Sequence, residues 1–436
     1  MWPRNPWPEQ WQRLRRFHRR SSRIRRGYAV GRLARPHRVN RELLLPEERL
    51  LLAIGKFDPS SEDRALAHDL LANVDYPWQR TFALAAANRV HPMLAYNLEN
   101  DASFKSRVPS EFQGSLRAVR TAAAMRRALY HHAIDPIMKL LAAENIRLVL
   151  MKGAAITETI YPPGTRLLND FDILINKHDY LRVVGAFAAC GFAKVFRAGR
   201  SEAQELESYH QMALTKTLGG EQLTIDLHWL MYPAERTFCQ IDTPSLISRA
   251  RQVQVESTPW FVLSTEDVLV HYSSQIVNDS LRVDYQRMAD IYAVAKSLPS
   301  WDSTVDIAVR ARAAGATHVA LSLAAMLGAS VPAWVFNRLE RACAGCNISS
   351  TYLAVPAVAF CGPRIPDAAK PILVCLLYTQ LRDRISYLRV FVASNWHTSR
   401  RHRGVMRSCL RAGHYVSKAA VWSLRLLTRA AWRRDF

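Results

Sequence analysis

The chain has 436 residues, 49% of them hydrophobic, which excludes an intrinsically disordered or fibrous protein and allows two or three folded units. The net charge of +22 is carried by the two ends, because residues 1–40 (twelve Arg, one Glu) and residues 381–436 (twelve Arg, one Lys, two Asp) each contribute +11. Residues 41–380 are formally neutral, so the basic character describes the ends and not the central fold.

Hydrophobic periodicity changes twice along the neutral part of the chain. Leucines recur at helical spacing at first, and a long helix is predicted after Pro109. Short apolar runs typical of buried strands then appear at 146–151 and 171–175, and Gly219-Gly220 lies between two further runs in the manner of a β-hairpin. Beyond Pro244 the pattern again predicts helix, as far as about residue 380.

These changes predict an α/β (α+β) fold, in which a small mixed-sheet core is flanked by N- and C-terminal helical regions. The chain is divided into five parts: a basic N-terminal arm (1–40), a helical region (41–140), the sheet core (141–235), a C-terminal helical region (236–380) and a basic amphipathic tail (381–436).

Two aspartates, Asp170 and Asp172, flank one apolar residue in the second strand-like run. Since side chains alternate along a strand, both carboxylates project from one face while Phe171 enters the core. A later strand places Asp226 and His228 on one face in the same way. Carboxylate oxygens suit Mg²⁺, which is usually held by one or two carboxylates plus substrate phosphates. A third carboxylate beside the first two would complete a two-metal site.

An isolated Asp-x-Asp is more often a solvated strand edge or a helix cap than a metal site. Here a glycine turn at Gly153 precedes it, where backbone N–H groups opening a helix would hold phosphates. His228 would orient Asp226 or contact substrate, and a structural histidine is an equal alternative. Asp290 is expected to hydrogen-bond within the C-terminal helical region rather than to bind metal.

Five motifs occur in one order along the chain: Lys152-Gly-Ala-Ala, Tyr161-Pro-Pro-Gly-x-Arg166, Asn169-Asp-Phe-Asp-Ile-Leu-Ile, Gly191-Phe and Ile225-Asp-Leu-His-Trp. With them the chain resembles the bacterial uncharacterised nucleotidyltransferase family of the polymerase-beta-like nucleotidyltransferase superfamily, over roughly residues 45–300. The resemblance implies a nucleotidyltransferase core over 141–235. It also implies transfer of a nucleoside monophosphate from an NTP to an acceptor by a two-metal mechanism, with Mg²⁺ or Mn²⁺ as cofactor.

The resemblance makes three carboxylates both metal ligands and catalytic residues: Asp170, Asp172 and Asp226. It makes three further residues the nucleotide-binding set: Lys152, Gly153 and Arg166. Asp226 is then the carboxylate expected to help deprotonate the acceptor. Gly153 would cradle the triphosphate, while Lys152 and Arg166 would neutralise phosphate charge. The acceptor, whether a small molecule, a peptide or a protein, is not indicated.

Two other functions stay open. A catalytically degenerate member that binds nucleotide or a partner is favoured by Gly153-Ala154, because the superfamily's usual turn is Gly-Ser or Gly-Gly. The retained aspartates argue against it, since a carboxylate cluster is costly unless a cation neutralises it. A nucleic-acid-directed protein is suggested by the basic ends, but no recognisable nucleic-acid-binding module accompanies them.

The basic ends carry aromatic residues at helical spacing, such as Trp7 and Trp11 among the N-terminal arginines and Trp422 in the tail. Basic amphipathic helices of this kind suit an anionic membrane surface. Two alternatives are that the same charges attract nucleic acid, or that the ends are merely solvated tails. The N-terminus lacks the apolar stretch of a signal peptide. We therefore expect a cytoplasmic protein, with peripheral association at the inner membrane face as an option.

Overall fold

The structure, a computed structural model, describes residues 44–196, 201–232, 239–279, 281, 283–343, 370–380, 383–385 and 387. These residues form a seven-stranded mixed sheet with helices around it, which confirms the predicted fold class. Among them, no helix combines the length and the apolar character needed to cross a bilayer. The predicted basic arm, and the predicted basic tail except for a few residues at its start, lie outside the described residues.

From residue 44 onward, where the description begins, six helices precede the sheet: α1 (Pro46–Ile54), α2 (Ser61–Leu71), α3 (Trp78–Ala87), α4 (His91–Asn100), α5 (Ala102–Lys105) and α6 (Ser110–Ala143). The longest, α6, begins after Pro109 as the sequence predicts. Its buried side chains recur at Tyr130, Ile134, Ile137 and Leu141, the spacing of one helical face, so α6 lays a single apolar stripe on the core.

The sheet and the helices within it follow in chain order: β1 (Val149–Leu150), α7 (Lys152–Thr159), β2 (Phe171–Leu174), α8 (Tyr180–Ala189), β3 (Ala193–Val195), α9 (Glu202–Ser208), β4 (Gln211–Leu218), β5 (Glu221–His228), α10 (Thr243–Arg249), β6 (Arg251–Val255) and β7 (Thr258–Val262). In space the strands run β3-β4-β5-β2-β1-β7-β6. The pairs β2–β5 and β1–β7 are parallel, and the other four pairs are antiparallel.

The predicted hairpin is confirmed, since β4 and β5 pair directly and turn at Gly219 and Gly220. Both glycines have positive φ, 59° and 83°, as the tight turns that match the twist of a hairpin require.

The expectation of helix throughout the segment beyond Pro244 is wrong for β6 and β7, which add a second hairpin to the sheet. Its two-residue turn places Glu256 at φ 53°, and its inward side chains, such as Trp260 and Val262, alternate with outward ones. That period of two is the signal which predicts a strand. The sheet therefore extends beyond residue 235, while the domain boundaries drawn from the sequence stay predictions.

The remaining described helices pack beyond the sheet: α11 (Thr265–Asn278), α12 (Tyr285–Lys296), α13 (Trp301–Arg310), α14 (Ala314–Met326), α15 (Ala333–Ala342) and α16 (Lys370–Leu377). Helix α14 is buried on nearly all sides and contacts α11, α12 and α15, so it forms the centre of this group. Helix α11 also contacts α7, which links the group to the sheet.

One face of β2 is covered by α6. Phe171 packs against Tyr130 of α6 at 5.1 Å between ring centroids and against Trp260 of β7 at 6.1 Å. Because neighbouring side chains of a strand point to opposite faces, this packing directs Asp172 to the other face. The apolar contact thereby fixes which side of the sheet carries the carboxylates.

Candidate metal centre

Asp172 and Asp226 lie side by side in the middle of the sheet. They are direct partners in the parallel register of β2 and β5, in which Phe171 also pairs with Ile225. Asp172 is only 3% exposed and Asp226 is half-buried. Two carboxylates at this spacing, largely removed from water, repel each other unless a cation lies between or beside them.

Lys152 supplies such a cation in this structure. It is the first residue of α7, immediately after β1, and its Nζ donates to Asp172 Oδ1 at 2.5 Å. His228 Nε2 contacts the same oxygen at 2.9 Å and lies 3.4 Å from the Lys152 ammonium. Lys152 has φ 49°, in the left-handed region that most residues with a side chain avoid. The turn between β1 and α7 therefore holds a strained lysine against a buried carboxylate.

A set of oxygen and nitrogen donors surrounds this point. One potential ligand atom from each of Asp172, Asp226 and His228 lies within 4.8 Å of the other two. Two carboxylates and one imidazole form a donor set that suits a divalent metal ion. Gln211 of β4 donates from Nε2 to Asp226 Oδ2 at 3.0 Å and orients that carboxylate. The residues present therefore fit a divalent cation.

The two central aspartates have opposite pKa shifts. Burial would raise the pKa of Asp172, but attraction from Lys152 and the contact with His228 hold that pKa well below its ordinary value. Burial and repulsion from Asp172 raise the pKa of Asp226 to about 6. Asp172 is thus an anion at all physiological pH values, whereas Asp226 exchanges its proton near neutrality.

The pKa values of Lys152 and His228, which lie next to these aspartates, are shifted by burial and by the neighbouring charges. Burial opposes the charge on Lys152, but Asp172 outweighs it and raises the lysine pKa. Burial and repulsion from Lys152 lower the pKa of His228 to about 4. The neutral imidazole places Nε2 against Asp172 Oδ1 and the Lys152 ammonium, and a hydrogen bond with the backbone of Leu230 also acts on the ring.

Asp170 lies apart from this close group. It precedes β2, the residue as a whole is exposed although its carboxyl group is largely enclosed, and it does not belong to the set of ligand atoms within 4.8 Å of one another. Burial of the carboxyl group and repulsion from Asp172 nevertheless raise its pKa, which shows that the two carboxylates interact. The structure therefore brings Asp172, Asp226 and His228 together and leaves Asp170 beside them, at the solvent edge.

Gly153 and Arg166 contact each other behind the metal centre. A Cβ at Gly153 would lie 2.5 Å from Arg166 Nη1, so only glycine lets the guanidinium lie against this turn. Arg166 does not point at the carboxylates, because its Nε and Nη2 donate to the two oxygens of Asp290 at 3.0 and 2.8 Å. Its charge is already engaged by a buried partner.

Asp290 forms a buried network that joins helix α12 to the segment before β2, whereas the sequence predicts hydrogen bonds within the C-terminal helical region. Besides Arg166, it accepts hydrogen bonds from the hydroxyls of Tyr161 at 3.0 Å and Tyr272 at 3.2 Å. The sequence did not indicate Gln211 as a neighbour of Asp226. The hairpin register explains the contact, since Gln211 lies opposite His228, two residues from Asp226 and therefore on the same face of the sheet.

Comparison with known proteins gives a family match. A family model described as "Uncharacterised nucleotidyltransferase" matches residues 75–329, more than half of the chain and all of the residues discussed above. No curated protein and no solved structure gives a match.

Proposed function

This chain belongs to the uncharacterised nucleotidyltransferase family, and from that premise we propose that it transfers a nucleoside monophosphate from an NTP to an acceptor in a metal-dependent reaction. The narrower placement in the polymerase-beta-like superfamily is part of the same proposal and is supported by the order of the sequence motifs. The acceptor belongs to one of three classes: a small molecule, a peptide or a protein.

One observation carries the proposal. The parallel register places Asp172 beside Asp226, and His228 completes a set of three donors within 4.8 Å. These residues would hold one Mg²⁺ or Mn²⁺ ion, and Asp170 at the solvent edge would contribute to a second. Two bound ions would stabilise the attacking and the leaving oxygen of an in-line displacement. The two carboxylates suit either Mg²⁺ or Mn²⁺.

Asp226 is the residue best suited to accept the proton of the acceptor. In the metal-free protein its pKa is about 6, and a bound cation would lower that value, so the carboxylate would be ionised and able to accept a proton at neutral pH. Gln211 occupies Oδ2 with a hydrogen bond, which leaves Oδ1 available. Asp172 cannot take this role, because its proton affinity is too low.

Lys152 has two tasks in this proposal. Its ammonium neutralises Asp172 in this structure, and a divalent cation held by that carboxylate would free the lysine. Lys152 directly precedes Gly153, where backbone N–H groups at the start of α7 would hold a phosphate. The released ammonium would then neutralise phosphate charge at this turn.

A catalytically degenerate member that binds nucleotide without transfer is the second candidate. The contact between Lys152 and Asp172 favours it, because the lysine supplies a cation where a catalytic member needs a metal. Metal binding separates the two: a degenerate member gains no affinity for Mn²⁺ when an NTP analogue is added, whereas a catalytic one does.

The experiment that tests the proposed function is a transfer assay with α-phosphate-labelled NTPs and a cell extract as the source of acceptor. We expect label on an acceptor with Mg²⁺ or Mn²⁺, none with a chelator, and none with the Asp226→Asn variant. Equal labelling by wild type and Asp226→Asn would refute the assignment of the site. An exposed aspartate on α2 gives the matched control, Asp69→Asn, which should retain full transfer.

A further inference from the structure

A recess opens next to Arg166, outside the metal centre. Its walls come from the loop between α3 and α4, the segment before β2, and helix α12. Its enclosed volume is about 10 Å³, roughly the room that one water-sized group needs. A ligand would therefore place a single oxygen between the walls of the recess, with the rest of the ligand at its open mouth.

The acidic group of the recess, Asp290, is already saturated. Its two oxygens accept four hydrogen bonds, two from Arg166 and one each from Tyr161 and Tyr272. A carboxylate with four donors has no free acceptor site for a ligand. Asp290 also balances the charge of Arg166, so the pair contributes no net charge to the recess.

The polar groups left over in the recess are donors. The Arg89 guanidinium has no hydrogen-bond or ion-pair partner in the part of the chain that the structure describes, so the recess carries a net positive charge. Gln286 of α12 is only 6% exposed, and its Nε2 amide has no partner there either. A buried donor without an acceptor is costly, and a ligand that accepts hydrogen bonds would remove that cost.

The backbone of Arg89 gives a further reason to assign it a role in binding. It follows the C-terminus of α3 at φ 61°, a position where most helices place glycine. A residue with a Cβ held in this region stores strain, and such strain is concentrated at binding and catalytic sites. The chain thus keeps an arginine where its backbone favours glycine.

We propose that Arg89 and Gln286, with Arg166 behind them, form an anion-binding subsite that takes a phosphate or carboxylate group of a substrate. Arg89 and Arg166 both act electrostatically on Asp170, so the subsite borders the proposed reaction centre. The anion comes either from the phosphates of the NTP or from an acidic group on the acceptor. That the anion belongs to a substrate rests on the proposed function, whereas the anion site itself does not.

Inorganic phosphate is the probe for the site, and its binding is measured by calorimetry on the full chain without metal or nucleotide. Arg89→Gly removes the guanidinium at a position that accommodates glycine, so this variant should melt no earlier than wild type. We expect phosphate affinity to fall at least about tenfold in Arg89→Gly, as for the loss of a charged hydrogen bond. A smaller fall is expected in Gln286→Leu. The exposed Arg80 of α3 supplies the control, Arg80→Gln, which should bind phosphate like wild type.

A second measurement identifies the source of the anion, with a non-hydrolysable NTP analogue and Mg²⁺. If the NTP supplies the anion, phosphate competes with the analogue and Arg89→Gly weakens analogue binding. If the acceptor supplies it, both ligands bind together and analogue affinity is unchanged. Equal phosphate affinity in wild type and Arg89→Gly, or no phosphate binding by wild type, overturns the subsite. Failure of nucleotidyl transfer alone would leave the phosphate result standing.

Discussion

Asp226 and Asp172 should respond in opposite ways when each loses its charge in the metal-free protein. The pKa of Asp226 rises from an ordinary value of 3.8 to about 6, so its ionised form is disfavoured in the folded protein. One pKa unit corresponds to about 1.4 kcal/mol, so the charge costs about 3 kcal/mol of folding free energy at neutral pH. Asp226→Asn should therefore stabilise the protein by up to about 3 kcal/mol.

Asp172→Asn should have the opposite effect. The side chains of Asp172 and Lys152 are 5% and 18% exposed, and their charged atoms lie 2.5 Å apart. Removing one partner of a buried pair leaves an uncompensated charge and costs about 3–5 kcal/mol. Asp226 and Asp170 also attract Lys152, so the lower end of that range is expected.

The effect of Asp226→Asn should depend on pH in a defined direction. Because the folded-state pKa of Asp226 is raised, the folded protein takes up a proton between about pH 6 and pH 4 that the unfolded chain does not. The destabilisation is fully present above pH 6 and disappears below the unfolded pKa. The stability difference between wild type and Asp226→Asn should shrink as the pH is lowered from 7 to 4.

Urea unfolding with a chelator, at pH 7.5 and at pH 4.5, measures all three effects. Asp69→Asn makes the same chemical change at an exposed site and should alter stability by no more than about 0.5 kcal/mol. The reasoning is refuted if Asp226→Asn is less stable than wild type at pH 7.5, or if its advantage is the same at both pH values.

Three further outcomes follow from the structure. Lys152→Met should bind Mn²⁺ several-fold more tightly than wild type in the absence of nucleotide, because the ammonium no longer competes for Asp172. A Mn²⁺ titration followed by electron paramagnetic resonance measures this affinity, and a lower affinity in the variant would contradict the prediction. Asp290→Asn should lower the free energy of unfolding by about 3 kcal/mol, because the Arg166 charge stays buried without its partner. Its Mn²⁺ affinity should equal that of wild type, and a loss of Mn²⁺ binding would show that Asp290 belongs to the metal centre. The full chain should co-sediment with anionic vesicles at low salt more than a shorter chain without residues 1–40 and 381–436, and equal sedimentation would reject the basic ends as membrane contacts.

The sequence predicts which residues belong to the metal centre better than it predicts the pairing and the contacts of each residue. Strand alternation places Asp172 opposite to Phe171, and in the structure Phe171 is covered by aromatic residues on the other face of the sheet. That Asp172 is the direct partner of Asp226 could not be predicted, because β2 and β5 are separated in sequence and pair in parallel. The register of such a pair depends on the packing of the whole sheet.

Long side chains were the least predictable part of the site. The sequence predicts phosphate contacts for Lys152 and Arg166 but does not indicate their protein partners, which are Asp172 and Asp290. Each partner comes from a segment distant in the chain, and no local pattern records such a contact. The sequence does not predict the hairpin of β6 and β7 for another reason. Its two alternating runs are short and lie between helices, and β7 joins the sheet only through β1, a strand of two residues.

The most direct test of the central claim is a titration with Mn²⁺ on the full chain, in the presence of a non-hydrolysable NTP analogue. If Asp172, Asp226 and His228 hold the ion, Asp226→Asn should lower Mn²⁺ affinity at least about tenfold, as expected for the loss of a charged ligand. Asp69→Asn should match wild type. Because Asp226→Asn is expected to be more stable than wild type, loss of binding could not be attributed to unfolding. Equal Mn²⁺ affinity in wild type and Asp226→Asn would contradict the account.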